Sequence, residues 1–127
     1  MHKLSLLLGS FLGGTAIILG AFGAHYLKKI FTPELLTSFE TGVRYQFYQA
    51  IALLILGIYA KFSNASVTGI MSLFGLGTLF FSGSIYLLCI LKANDQIGLK
   101  GLGIITPIGG VLLICGWALW MIQIAKQ

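Results

Sequence analysis

The sequence predicts an all-α, membrane-spanning four-helix bundle with a short interfacial helix between helices 1 and 2. Three observations predict it. Of 127 residues, 57% are hydrophobic and only 9% charged, against roughly 25% charged in a soluble domain. Eight Lys/Arg and three Asp/Glu cannot supply the polar surface that a soluble protein of this size requires. The apolar residues gather in four stretches, each about the 20 residues that cross a hydrocarbon layer. The basic residues fall mostly at the ends of those stretches, as they do in membrane proteins. The net charge of +5 is therefore a membrane feature, and nucleic acid is not an expected partner.

The whole chain, 1–127, reads as a single four-helix transmembrane domain. The first span covers residues 4–24 and carries no charge. Lys3 and the small-x-small triplet Ala21-Phe22-Gly23 also fit a cleavable signal peptide, but the apolar stretch exceeds the 7–15 residues of a signal core. Gly9, Gly13 and Gly20 line it with small side chains that let helix backbones approach closely. Lys28 and Lys29 then belong at headgroup depth. Thr32-Pro33-Glu34 is a helix start: a capping hydroxyl, a proline at the first helical position and an acid at the positive helix end. Leu35, Leu36, Phe39 and Val43 follow at helical spacing, so residues 33–41 form an amphipathic helix at the interface, and Gly42 is placed to bend the chain into the next span.

The second span, 43–62, begins with Arg44, Tyr45, Gln46, Tyr48 and Gln49 before turning apolar. The third, 69–91, carries Ser82-Gly83-Ser84. A polar connection, 92–100, leads to the fourth, 101–125, where Gly109 and Gly110 mark a tight crossing and Trp117 and Trp120 lie toward the far end. Gly14-Thr15 with Gly20 recurs as Gly77-Thr78 with Gly83, a faint sign of a duplicated hairpin. Cys89 and Cys115 sit in apolar runs without metal-site or redox spacing; no metal site and no cofactor is expected.

Antiparallel neighbours bring one set of helix ends together, and with them His25, Glu40, Arg44, Tyr45, Tyr48, Gln49, Tyr86 and Thr106, the candidate ligand-binding cluster. Glu40 and Arg44 stand four apart with the acid first, the favourable order for a helical ion pair. An ionisable group within a membrane is a site hypothesis by default; the competing role for this pair is to brace the interfacial helix. His25 is a candidate proton carrier or sensor, or else bonds a carbonyl at its helix end. No nucleophile–base set, HExxH motif or phosphate loop is present, so no catalytic residues are assigned.

Four blocks carry a resemblance: LGAFGAHYLK (19–28), FETGVRYQFYQA (39–50), FSGSIYLL (81–88) and ITPIGGVLLICGW (105–117). They resemble the small YgdD-like membrane proteins, also called the transmembrane protein 256 family, a family of unknown function. The resemblance implies a multi-pass protein of the bacterial inner cell membrane and no particular activity. The family usually has His where this chain has Gln49; a role that needs imidazole there is lost, while a hydrogen-bonding role is kept.

The expectation is a non-enzymatic membrane protein whose polar cluster, with interfacial Lys28 and Lys29, binds a lipid headgroup or a partner protein. The alternative is a channel or transporter for a small solute, ion or proton. Four helices rarely enclose a pathway, so that version requires a homo-oligomer. An enzyme acting on a lipid or quinone is the third and least supported reading.

Overall fold

The computed structural model describes residues 1–94 and 101–127. The connection expected over 92–100 lies, from Asp95 onward, outside the described residues. The chain forms four long helices: α1 (Lys3–His25), α2 (Pro33–Tyr59), α3 (Thr68–Ala93) and α4 (Leu102–Ala125). A 3-10 turn, Leu27–Lys29, links α1 to α2. Within α3, α-helical segments Thr68–Thr78 and Ser84–Ala93 are joined by a π-helical turn, Leu79–Gly83. No strand occurs among the described residues.

Three helical stretches, Lys3–Lys29, Thr68–Ala93 and Leu102–Ala125, are long and apolar enough to cross a membrane. Their outward side chains, such as Leu7, Ile17, Ile18, Ile114 and Met121, are exposed and suit hydrocarbon as their solvent. α2 is as long but less apolar, because Arg44, Gln46 and Gln49 interrupt it. Its start follows the sequence pattern: the Thr32 hydroxyl accepts from the Leu35 N–H at 3.3 Å, with Pro33 in the first turn. Residues 33–41 are helical as expected, but they continue into the rest of α2 without a break. Gly42 serves a different purpose from a bend. A Cβ there would come within 2.9 Å of the Tyr86 ring, so this glycine lets α3 lie against α2.

α1 and α2 pair antiparallel along their full length. The Ser5 hydroxyl donates to the Leu53 carbonyl at 2.7 Å, and the His2 N–H to the Gly57 carbonyl at 2.9 Å. A Cβ on Gly9 would stand 2.9 Å from the Ala50 carbonyl oxygen, and one on Gly23 the same distance from the Phe39 ring. Small residues thus set the helix separation, as in membrane bundles generally. Gly13 and Gly20 have more room: their Cβ atoms would meet Ala50 at 3.6 Å and Val43 at 3.4 Å.

α3 and α4 form the second antiparallel pair. Their closest approach is at Gly109, where a Cβ would collide with the Phe81 backbone nitrogen and lie 2.8 Å from the Gly77 carbonyl oxygen. The π-helical turn is the surface that Gly109 meets. Gly83 and Gly110 have ordinary clearance, 3.7 Å to Leu79 and to Phe81. The main core joins the two pairs around Leu53, Leu56, Val67, Ile70 and Phe74. Trp117 and Trp120 pack on Phe74 with ring centroids 5.2 and 6.1 Å away. A smaller core of Leu27, Phe31, Phe39 and Cys89 closes the His25 end.

The two crossings lead to one prediction. Gly109→Ala forces a methyl into backbone and should destabilise the protein by about 1–3 kcal/mol or more. Gly14→Ala, which meets nothing within 4 Å, should be neutral or slightly stabilising. Thermal unfolding in detergent checks this; equal melting temperatures for the two variants would contradict the crossing described here.

Candidate functional site

The polar centre of the bundle is Gln46. It lies on the inner face of α2, in line with Gly42, Gln49, Ala50 and Leu53, all buried. With 5% of its surface exposed, its amide needs partners, since an unpaired polar group in an apolar interior costs roughly 1–3 kcal/mol. It has them on two other helices. Its Nε2 donates to the Leu12 carbonyl at 3.0 Å and to the Thr15 Oγ1 at 2.8 Å, both on α1. Its Oε1 accepts from the Tyr86 hydroxyl of α3 at 2.7 Å. Thr15 in turn donates to the Phe11 carbonyl at 2.8 Å. One turn away, the Ser82 hydroxyl donates to the Gly42 carbonyl at 2.7 Å, a second bond between α3 and α2. Leu12 and Thr15 are at the middle of α1, so this network sits at mid-depth of the bundle rather than at an end.

α1 and α3 both rest on α2 and diverge above it. Between them runs an open groove of about 730 Å³, walled by Phe11 and Leu19 on one side and by Ser72, Leu76 and Gly83 on the other. Gln46, Thr78, Ser82 and Tyr86 contribute its polar floor. The Thr78 hydroxyl donates back to the Phe74 carbonyl at 2.7 Å. The floor's hydroxyl donors and the Gln46 amide are therefore engaged within the protein.

The candidate residues read from the sequence divide into three groups. Tyr86 belongs to the central network. Gln49 and Thr106 lie elsewhere: Gln49 is buried with its Oε1 lacking a partner, and the half-buried Thr106 shares a short hydrogen bond with Ser84, joining α4 to α3. His25, Glu40, Arg44, Tyr45 and Tyr48 are exposed, as are Lys28 and Lys29. Among the described residues no ion pair joins Glu40 to Arg44. Tyr45 packs on Phe81 at 4.9 Å and on Tyr48 at 5.7 Å between ring centroids. The candidates therefore do not form one pocket. No group of three or more His, Cys, Asp or Glu able to hold a metal occurs among the described residues.

Gln46 and Thr15 are not among the candidates read from the sequence; Thr15 falls toward the middle of its span rather than at a helix end, where the cluster was sought. The signal that marks them is spacing: Gln46 falls on the small, buried stripe of α2, four residues from both Gly42 and Ala50.

This arrangement is that of a small multi-pass membrane protein with a polar interhelical lock. The comparisons with known proteins agree. The model of a family described as "Protein of unknown function (DUF423)" matches residues 19–110, and the chain belongs to that family. It is similar to UPF0382 membrane proteins of staphylococci. The protein of Staphylococcus aureus (strain bovine RF122 / ET3-1) is 39% identical over 124 residues, 98% of this chain and 97% of the relative. The relative in Staphylococcus haemolyticus (strain JCSC1435) is 36% identical over the same length and coverage. No solved structure matches the chain. The resemblance seen in the four sequence blocks, to small membrane proteins of unknown function, is borne out.

The two buried amides should respond differently to substitution. Gln46→Leu removes three interhelical partners and leaves the Tyr86 hydroxyl unpaired. Interhelical hydrogen bonds in membranes average about 0.6 kcal/mol each, so a loss of roughly 1–3 kcal/mol is expected. Gln49→Leu removes an amide whose oxygen has no partner and should cost little or stabilise. Detergent unfolding of both variants checks the contrast, and Tyr86→Phe combined with Gln46→Leu should be clearly non-additive.

Proposed function

We propose that this protein binds an anionic lipid in the cell membrane, without chemical turnover. The groove between α1 and α3 takes a hydrocarbon chain, and the basic end of the bundle takes the headgroup. The supporting observation is the groove itself. Its volume, about 730 Å³, falls within the roughly 300–1,000 Å³ of ligand sites, and its walls are mostly apolar. Its polar floor is already hydrogen-bonded within the protein, so hydrocarbon can cover it without stranding a donor.

The groove reaches Leu19 and Tyr86 at one end. Beyond them, α1 leads to Lys28 and Lys29 and α3 to Lys92, all exposed. Lys92 is six residues past Tyr86, about 9 Å along a helix. A chain in the groove therefore directs its headgroup toward three ammonium groups, each attracting an anionic surface by about 1 kcal/mol.

Native mass spectrometry of protein extracted in mild detergent tests this reading. Wild type should retain one phospholipid, with anionic species enriched over their membrane share. Gly83→Leu and Ser72→Phe place side chains in the groove and should lower retention at least fivefold. Lys28→Ala with Lys29→Ala should abolish the anionic preference while keeping chain binding. Unchanged retention in both groove variants, with melting temperatures like wild type, would sink the proposal.

A further inference from the structure

The outer face of α2 presents polar groups at a depth where lipid has none. The antiparallel register sets that depth: Gly23 faces Phe39 and Gly20 faces Val43, while Gln46 bonds to Leu12 and Thr15. Arg44 is therefore level with Gly20 or a residue deeper, about 8 Å inside the His25 end of α1 at 1.5 Å per residue. Tyr48 is one turn deeper still, near the middle of the span, and 53% exposed. A guanidinium can snorkel toward the headgroups. A tyrosine hydroxyl at mid-depth cannot reach them, and Tyr otherwise favours the interface. Charged groups in hydrocarbon are costly, typically about 2.5–3.5 kcal/mol on insertion scales at the centre of a helix.

The same face has a regular pattern. Arg44, Tyr48, Ile51, Ile55 and Ile58 are all exposed and follow one another at steps of four, three, four and three. This is the 3.5-residue period of a seam between parallel helices. The contacts within the chain use other positions of α2, namely Gly42, Gln46, Ala50, Leu53 and Gly57. Glu40, also exposed, stands one turn before Arg44 and supplies the opposite charge.

We propose that this face joins copies of the same chain, side by side, along their α2 helices. With all copies inserted in the same direction, neighbouring α2 helices are parallel and related by an axis along the membrane normal. Such a contact is self-complementary: Arg44 of one copy meets Glu40 and the Tyr48 hydroxyl of the next, and the isoleucines interlock below. Association removes the two charges and the phenol from lipid. The groove between α1 and α3 opens on another side, so the inference stands apart from the lipid proposal.

Disulfide crosslinking in native membranes, in full-length protein with Cys89→Ala and Cys115→Ser, tests it. Ile55→Cys on the seam should give a covalent dimer of the chain on oxidation. Ile18→Cys and Ile114→Cys, on exposed faces of α1 and α4, should give at least tenfold less. Arg44→Glu should cut the Ile55→Cys dimer about tenfold, and adding Glu40→Arg should restore most of it. Equal crosslinking at Ile18, no dimer from Ile55→Cys, or an adduct with a different protein in its place would each overturn the proposal.

Discussion

A single carboxamide holds three of the four helices in register. Gln46 cannot be left unpaired in an apolar interior, and its partners lie on α1 and α3. In a membrane, apolar contact between helices gains little over contact with lipid, so association depends on packing and on such polar bonds. Sliding α1 along α2 by one turn would strand this amide and move Gly9 off the Ala50 carbonyl. Gln46 therefore selects one register of α1 and α3 on α2.

The glycines complete that selection by setting how near the helices come. Gly9, Gly57 and Gly23 fix the α1–α2 distance, and Gly77, Gly109 and Gly116 the α3–α4 distance. The two pairs are each tight, and α2 joins them. α1 and α3 touch near Leu8 and Gly75 and stand apart along the groove. The groove is a result of this unequal closeness: α1 and α3 are each held more firmly to a partner helix than to one another.

The helices were legible because their signals are chemical and local. Apolar length identified the spans, and Thr32-Pro33-Glu34 marked the start of α2. Tight packing at Gly9 and Gly109 was expected from small residues in apolar runs. The central network was not legible in the same way. Gln46 stands among Arg44, Tyr45, Tyr48 and Gln49, and only its four-residue spacing from Gly42 and Ala50 points to which of these turns inward. That depends on which stripe of α2 meets α1, and on Leu12 and Thr15, more than thirty positions earlier. Attention to ionisable groups drew the eye to Glu40 and Arg44, which the fold turns outward, since charge resists burial more than an amide does. The continuity of α2 through Gly42 was hidden for a related reason: the glycine answers to the Tyr86 ring, a distant neighbour that its own surroundings do not announce.

The π-helical turn of α3 changes how the helix beyond it is aimed. Its hydrogen bonds reach five residues back in place of four, so it takes up one residue more than an α-turn, and one residue corresponds to about 100° of rotation. Everything after Gly83 is rotated by that amount relative to a helix without the turn. The inward residues Ile70, Phe74 and Thr78 are followed, again at steps of four, by Ser82 and Tyr86, a longer run of fours than a 3.6-residue period keeps on one face, and the π-helical turn takes up the difference. The helix behaves as two short rods keyed at different angles on one shaft. Its first rod is cut to fit α4, and its second is set so that one phenol reaches the middle of the bundle.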